Sequence, residues 1–246
     1  MPAQDPSRGG VPEALDGPYP VGHGGRMGSE LRLAFHRNLD DIDGRVGRLF
    51  ALVTEALAAS TECLLSDDRV TAAALVESDR NIDVLCAEIE VEAERALSLQ
   101  APLGRDLRYL LSILRIVPEL ERSADLAEHI AARAASGITP ELTPRLRGLV
   151  EQMSRVAVRM WRDLTEAFAD RDASAAARLE SDDDEVDTLH AYLTAELVSG
   201  KVGLSVALEM ALVGRFYERL GDHAVNVAQR VRFIADGVGP APFEVS

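Results

Sequence analysis

Four pairs of acidic residues, each pair separated by four positions, are the part of this sequence best suited to chemistry. On an α-helix, positions i and i+4 lie one above the other on the same face, so each pair would project two carboxylates into one region. Like charges so placed repel each other, and the cost rises if they leave water without a partner. The pairs are Asp79/Asp83, Glu121/Asp125, Asp183/Asp187 and Glu218/Asp222.

Two of these pairs continue an apolar seam instead of lying opposite to it. Steps of seven residues lead from Leu107 through Leu114 to Glu121, and from Leu204 to Glu218. The pairs at 79/83 and 183/187 lie along the edge of the apolar stripe of their own segments. One pair of each kind could therefore converge across a groove and bind a hard or borderline cation through oxygen ligands. A solvated face neutralised by nearby arginines, such as those at 122, 215 and 219, is the alternative.

The elements that must position these residues are helices. The chain has 246 residues, of which 47% are hydrophobic and only 4% aromatic. Its apolar residues are mostly Ala, Leu and Val, and they recur at helical spacing. Gly, Pro and Ser-Asp breaks separate six predicted helices, over residues 31–65, 69–99, 105–135, 144–170, 173–199 and 202–236. The predicted class is all-α.

The second three helices repeat the first three. A shift of 104 positions carries Asp79 to Asp183 and Asp83 to Asp187, and a shift of 97 carries the pair at 121/125 to the pair at 218/222. Such self-similarity indicates a duplicated module, here two tandem three-helix bundles. The predicted domains are residues 29–137 and 141–238. A disordered extension, 1–28, precedes them, and a short tail, 239–246, follows.

Charge and cysteine content restrict the function. The formal net charge is −15, which argues against nucleic-acid binding and does not indicate a bare basic patch for phosphate. Cys63 and Cys86 lack CxxC spacing, which suits a reducing compartment and supplies no thiolate metal site. No run approaches the ~18 apolar residues of a membrane span, and the N-terminal extension has no apolar signal core. We expect a cytoplasmic protein without direct membrane insertion.

The residues around the last acidic pair resemble a known family. Residues 218–228 read E-R-L-G-D-H-A-V-N-V-A, which is similar to the signature of the third helix of PhoU proteins. Residues 121–127, E-R-S-A-D-L-A, are a weaker copy at the expected place. Residues 100–102 (Q-A-P) and 106–108 (D-L-R) also resemble a segment of that family. The resemblance covers about residues 31–236.

The resemblance implies a fold, a metal site and a regulatory role. PhoU proteins are two tandem three-helix bundles whose acidic motifs bind metal clusters, and they commonly form homodimers. They keep the phosphate-starvation response off, and are thought to link the ATPase of the phosphate ABC transporter to a sensor histidine kinase. All eight acidic residues named above match the ligand positions of the family. The implied cofactors are divalent or trivalent ions, namely iron, zinc, manganese or magnesium, and no enzymatic activity is implied.

Departures from the family pattern concern the first half. Ser123 and Ala124 replace the usual Ile-Gly, and His129 stands where the second half has Asn226. Pro118, one turn before the acidic pair at 121/125, removes a backbone donor and should bend that helix.

Two alternatives remain open. A ferritin-like carboxylate oxidase requires an E-x-x-H motif on two helices, whereas this chain has one D-x-x-H, from Asp187 to His190. A helical scaffold that binds partner proteins without metal is the second alternative. No Gly-rich phosphate loop and no Ser/His/Asp or Cys/His set supports a hydrolase or a transferase.

Overall fold

The computed structural model of the protein describes residues 24–78 and 80–237, and the regular elements in this part of the chain are helical. Asp79, residues 1–23 of the predicted extension and the predicted tail lie outside the described residues. A 3₁₀ turn, Thr139–Glu141, lies in the central linker. The helices are α1 (Gly24–Ser66), α2 (Arg69–Ser78), α3 (Arg80–Gln100), α4 (Arg105–Ala135), α5 (Pro144–Asp170), α6 (Ala175–Val198) and α7 (Leu204–Asp236).

The all-α prediction is confirmed, and α4 and α5 begin and end at the predicted residues. The predicted second helix is described as α2 and α3, on either side of position 79. Helix α1 begins at Gly24, so residues 24–28 of the predicted disordered extension are helical. Because the prediction rested on apolar periodicity, it could not register the polar, glycine-rich turns that precede the apolar stripe.

Local chemistry sets the helix ends around the linker. Thr143 is the N-cap of α5, its side chain accepting a hydrogen bond from the Leu146 amide at 3.2 Å, and Pro144 occupies the first helical position. The Arg147 guanidinium donates to the Leu65 carbonyl at 2.7 Å and to the Thr139 carbonyl at 2.6 Å. The linker between the two halves is thereby tied to the end of α1.

Helix α4 is continuous through Pro118. The proline removes the donor that the carbonyl four residues earlier would otherwise receive, but it does not end the helix. The bend expected at Pro118 stays a prediction.

Every helix contributes to one core, and α1 and α5 pack against each other within it. Ile42, Leu49 and other apolar residues of α1 are fully buried at helical spacing. The Phe50 ring lies 5.1 Å from the Phe168 ring and 6.5 Å from the Trp161 ring, measured between centroids. Trp161 is fully buried.

Two three-helix bundles lie side by side. The first contains α1, α2, α3 and α4, with α2 and α3 together taking the place of one helix, and the second contains α5, α6 and α7. Helix α1 packs on α5, and α4 packs on α7. Glu119 of α4 contacts His223 of α7, and Arg133 of α4 contacts Glu209 of α7. Because the contacting residues have increasing numbers along α4 and decreasing numbers along α7, these two helices are antiparallel.

Aromatic residues of α7 join the two bundles. The Phe216 ring lies 5.4 Å from the His129 ring of α4 in an edge-on arrangement. The Tyr217 hydroxyl is hydrogen-bonded to the Thr61 hydroxyl of α1, and both residues are buried.

By length and composition alone, α1 could cross a membrane over residues 32–66, where its best 18-residue window has a mean hydropathy of 1.4. Half of that window is buried inside the protein. Its apolar residues pack against α4 and α5, as those of the central helix of a bundle do.

Candidate cation-binding grooves

The acidic residues of the second half meet in a groove between α6 and α7. One carboxylate oxygen of Asp183, Oδ1, is fully buried and has no hydrogen-bond partner among the described residues. Burial is the main cause that raises the pKa of Asp183 to about 6, and the charges of Asp187, Asp222 and Asp184 contribute to the same rise. A buried, unpartnered oxygen among like charges is a poor place for an anion and a good place for a cation.

Two glycines of α7 allow α6 to approach this closely. A Cβ atom at Gly221 would overlap the Asp183 carboxylate, and one at Gly214 would lie 2.7 Å from a methyl carbon of Leu193. Both glycines are buried and are separated by seven residues, so they lie on the same face of α7. In α4 the corresponding positions, 97 residues earlier, hold Val117 and Ala124.

Glu218 differs from the other carboxylates in this groove because it has basic neighbours. The Arg215 guanidinium forms an ion pair with it, and the His190 ring nitrogen Nδ1 lies 3.8 Å from its Oε2. Burial lowers the pKa of His190 and Arg215 lowers it further, while Asp187 opposes them. Asp187 and Asp222 are exposed. Arginine pairing, the alternative weighed from the sequence, therefore applies to Glu218.

The first half has a corresponding groove between α3 and α4. Glu121 and Asp125 are half-buried on α4, and Asp83 is exposed on α3. Burial raises the pKa of Glu121, and the charges of Asp83, Glu90 and Asp125 add to this effect, while Arg122 opposes it. Asp79, the remaining predicted ligand, lies outside the described residues.

An acidic pair elsewhere on α3 shows how arginine neutralises the same spacing. Glu88 and Glu92 are also four residues apart, and Arg45 lies 3.3 Å from the first carboxylate and 3.6 Å from the second. Arg122 pairs with Glu119, and not with Glu121. Among the described residues, no basic side chain forms an ion pair with Asp183, Asp187, Asp222, Asp83, Glu121 or Asp125.

The donor chemistry of both grooves fits a hard or borderline cation, since the groups are carboxylates with one imidazole beside them. As the side chains stand in the described part of the chain, no three His, Cys, Asp or Glu residues form a group that could hold a metal ion. The oxygens therefore lie near one another without forming a coordination shell. Binding a cation would require the exposed carboxylates to rotate towards the buried oxygen of Asp183.

Sequence reasoning underweighted His190, Gly214 and Gly221. The sequence analysis named His190 only as the histidine of a D-x-x-H motif, whereas the structure places it half-buried against Glu218. Its D-x-x-H spacing from Asp187 was the available signal. Gly221 stood out as part of the family pattern, but its physical role depends on how closely α6 approaches, which one sequence does not reveal.

Comparison with known proteins identifies the family. The model of the PhoU domain matches residues 46–134 and 150–231, one match in each half. The chain belongs to the PhoU family. It is 33% identical over 219 residues to the phosphate-specific transport system accessory protein PhoU homolog 1 of Mycobacterium tuberculosis, a match that covers 88% of this chain and 99% of the relative. Homolog 2 of the same organism is 35% identical over 213 residues, which cover 85% of this chain and 100% of the relative.

Solved PhoU structures share the fold. The crystal structure of PhoU from Pseudomonas aeruginosa superimposes with a TM-score of 0.78 at 28% identity, over 83% of this chain and 100% of the other. The phosphate transport system regulatory protein PhoU from Streptococcus pneumoniae has a TM-score of 0.77 at 24% identity, over 83% and 98% of the two chains. The predicted arrangement of two three-helix bundles is confirmed by this agreement.

Proposed function

We propose that this PhoU protein is an accessory regulator of a phosphate-specific transport system, and that it represses phosphate uptake and the phosphate-starvation response when phosphate is plentiful. The support is the match to both halves of the family model and to full-length relatives that bear the accessory name. Accessory proteins of this kind act by binding, so the proposal assigns no enzymatic activity.

The proposal includes metal binding in both grooves. Asp183, Asp187, Glu218 and Asp222 would hold the cation of the second half. Asp79, Asp83, Glu121 and Asp125 would hold that of the first half. The observation that carries this step is the buried, unpartnered Asp183 oxygen with three further aspartates around it. A bound cation would neutralise the repulsion and hold α6 against α7. Iron, zinc, manganese and magnesium are the candidates.

We further propose that the metal-bound protein is a cytoplasmic adaptor. Its partners would be the ATPase subunit of the phosphate ABC transporter and the sensor histidine kinase of the same regulon. Self-association into a homodimer is part of the proposal, and sedimentation velocity of the purified chain tests it directly: a single monomeric species at micromolar concentration would contradict it.

A reporter driven by a phosphate-starvation promoter tests the regulatory role. Deleting the gene should derepress the reporter in high phosphate, and the wild-type gene should restore repression. The double variant Glu218→Ala/Asp222→Ala should fail to restore it. The control Glu88→Gln/Glu92→Gln, which removes an acidic pair already neutralised by Arg45, should restore it fully. A deletion strain that stays repressed in high phosphate would contradict the proposal.

The two alternatives have their own readouts. The position of His190 beside Glu218 favours a nitrogen ligand in the second groove, which is the feature that the oxidase alternative needs. An absorbance change that depends on dioxygen after loading with Fe²⁺ would support that alternative. A metal-free scaffold would instead restore repression with both grooves neutralised.

A further inference from the structure

A cluster of basic side chains lies between α4 and α7, next to the acidic grooves. At its centre the Glu119 carboxylate accepts a hydrogen bond from His223 Nδ1 at 2.6 Å and one from Arg122 Nη1 at 3.2 Å. The Asn226 side chain is a further hydrogen-bond partner of this carboxylate. This carboxylate is therefore already engaged by three side chains.

Two more arginines lie beside this centre. Arg115 is one turn before Glu119 on α4, and Arg230 is two turns after His223 on α7. Because α4 and α7 are antiparallel, both steps lead in the same direction along the interface. Arg230 is half-buried, and its pKa is lowered first by burial and then by the charge of Arg115, while the charge of Glu119 opposes both effects. Neither arginine forms an ion pair with any carboxylate in the described part of the chain.

In the first half, the arginine that corresponds to Arg230 is neutralised by a carboxylate. Arg133, 97 residues before Arg230, lies 3.3 Å from the Glu209 carboxylate and 5.0 Å over the centre of the Phe216 ring. The counterpart of Arg115, at the same shift, is Leu212. Arg133 of the first half is thus paired with a carboxylate, whereas Arg230 of the second half has a second arginine, Arg115, near it.

We propose that Arg115 and Arg230 form a binding site for an oxyanion of the phosphate type. Two guanidinium groups on neighbouring helices present planar forks of donors, which suit the tetrahedral oxygens of a phosphoryl group. Arg115, Arg122 and Arg230 lie near two carboxylates here, Glu119 and Glu121, so the arginines outnumber the carboxylates locally although the chain carries −15 overall. The net charge of the chain argued against a basic patch for phosphate. Net charge does not reveal a local basic patch, because it sums charges over the whole protein.

Titration calorimetry of the full chain with inorganic phosphate tests this site. Including EDTA removes metal from the acidic grooves, and constant ionic strength removes non-specific screening. Wild-type protein and the control Arg133→Gln should bind phosphate with the same affinity. Arg115→Gln and Arg230→Gln should each bind about tenfold more weakly or worse, as expected when a hydrogen bond to a charged group is lost.

The unfolding temperature without phosphate separates binding from a structural role. Because Arg115 and Arg230 repel each other, Arg115→Gln should leave that temperature unchanged or raise it. The proposal is overturned if wild-type protein shows no saturable phosphate binding, or if all four proteins bind equally. It is also overturned if Arg115→Gln weakens phosphate binding and at the same time lowers the unfolding temperature measured without phosphate, because the arginine would then have a structural role. The regulatory role proposed above does not depend on these outcomes.

Discussion

Asp183 is the carboxyl group of the second groove that is most destabilised by burial and by the charges of its neighbours. Its Oδ1 is buried without a hydrogen-bond partner, while its neighbours Asp187 and Asp222 are exposed and can move. The sequence identified these three residues through their spacing. It could not single out Asp183, because burial of one oxygen depends on the glycine facing it across the helix interface.

Replacing Asp183 with asparagine should change the pH dependence of stability. The folded-state pKa is raised from 3.8 to about 6, so metal-free wild-type protein loses stability as the pH rises through that window. At pH 7 the variant Asp183→Asn should therefore be more stable, by about 1 kcal/mol once solvent screening of this half-buried group is allowed for. The difference should vanish near pH 4. Denaturant unfolding with EDTA at both pH values measures it.

Adding metal should reverse the order of the two proteins at pH 7, since only the wild type retains the full set of carboxylates. If the wild type and Asp183→Asn had equal unfolding midpoints at pH 7 as well as at pH 4 without metal, the buried carboxylate of Asp183 would not destabilise the protein, and the account would be contradicted.

The close approach of α6 to α7 is the main difference between the two grooves at the scale of helices. Gly214 and Gly221 leave room for α6, whereas Val117 and Ala124 occupy the corresponding positions in α4. The bend predicted at Pro118 is one reason to expect weaker binding in the first groove. Since α4 runs through that proline without interruption, the larger side chains at 117 and 124 give a more direct reason.

Gly221→Ala should weaken metal binding in the second groove without unfolding the protein. The added methyl overlaps the far end of the flexible Asp183 side chain, which can swing away. Displacing that carboxylate from its buried position should lower the affinity for Mn²⁺ measured by calorimetry. The control Gly148→Ala on α5, where a Cβ meets nothing within 4 Å, should keep the affinity and raise stability by about 1 kcal/mol. Unchanged Mn²⁺ affinity in Gly221→Ala would contradict the account.

Helix bounds were largely predictable because caps and breakers are local. Thr143 with Pro144 fixes the start of α5, and prediction and structure agree there. The contacts between bundles were not predictable, since pairs such as Glu119 with His223 are 104 residues apart and depend on how α4 and α7 pack. The same limit hid the arginines at 115 and 230.

At the scale of the whole molecule, duplication gives two similar bundles that have diverged where they meet. Arg133 keeps a carboxylate partner in Glu209, but its counterpart Arg230 faces another arginine. The shifts of 104 and 97 residues were readable from sequence, and so was the fold. The differences between the two bundles lie in the side chains that each bundle places at their interface, and these contacts could not be predicted from the sequence.

Elemental analysis of natively purified protein tests most directly whether the acidic grooves bind cations. The comparison is between wild type, the groove variant Asp83→Asn/Asp125→Asn/Asp183→Asn/Asp222→Asn, and the control Glu88→Gln/Glu92→Gln. We expect iron, zinc, manganese or magnesium to copurify with the wild type and the control, and to be lost from the folded groove variant. Wild-type protein without bound metal, or a groove variant that retains it, would contradict the account.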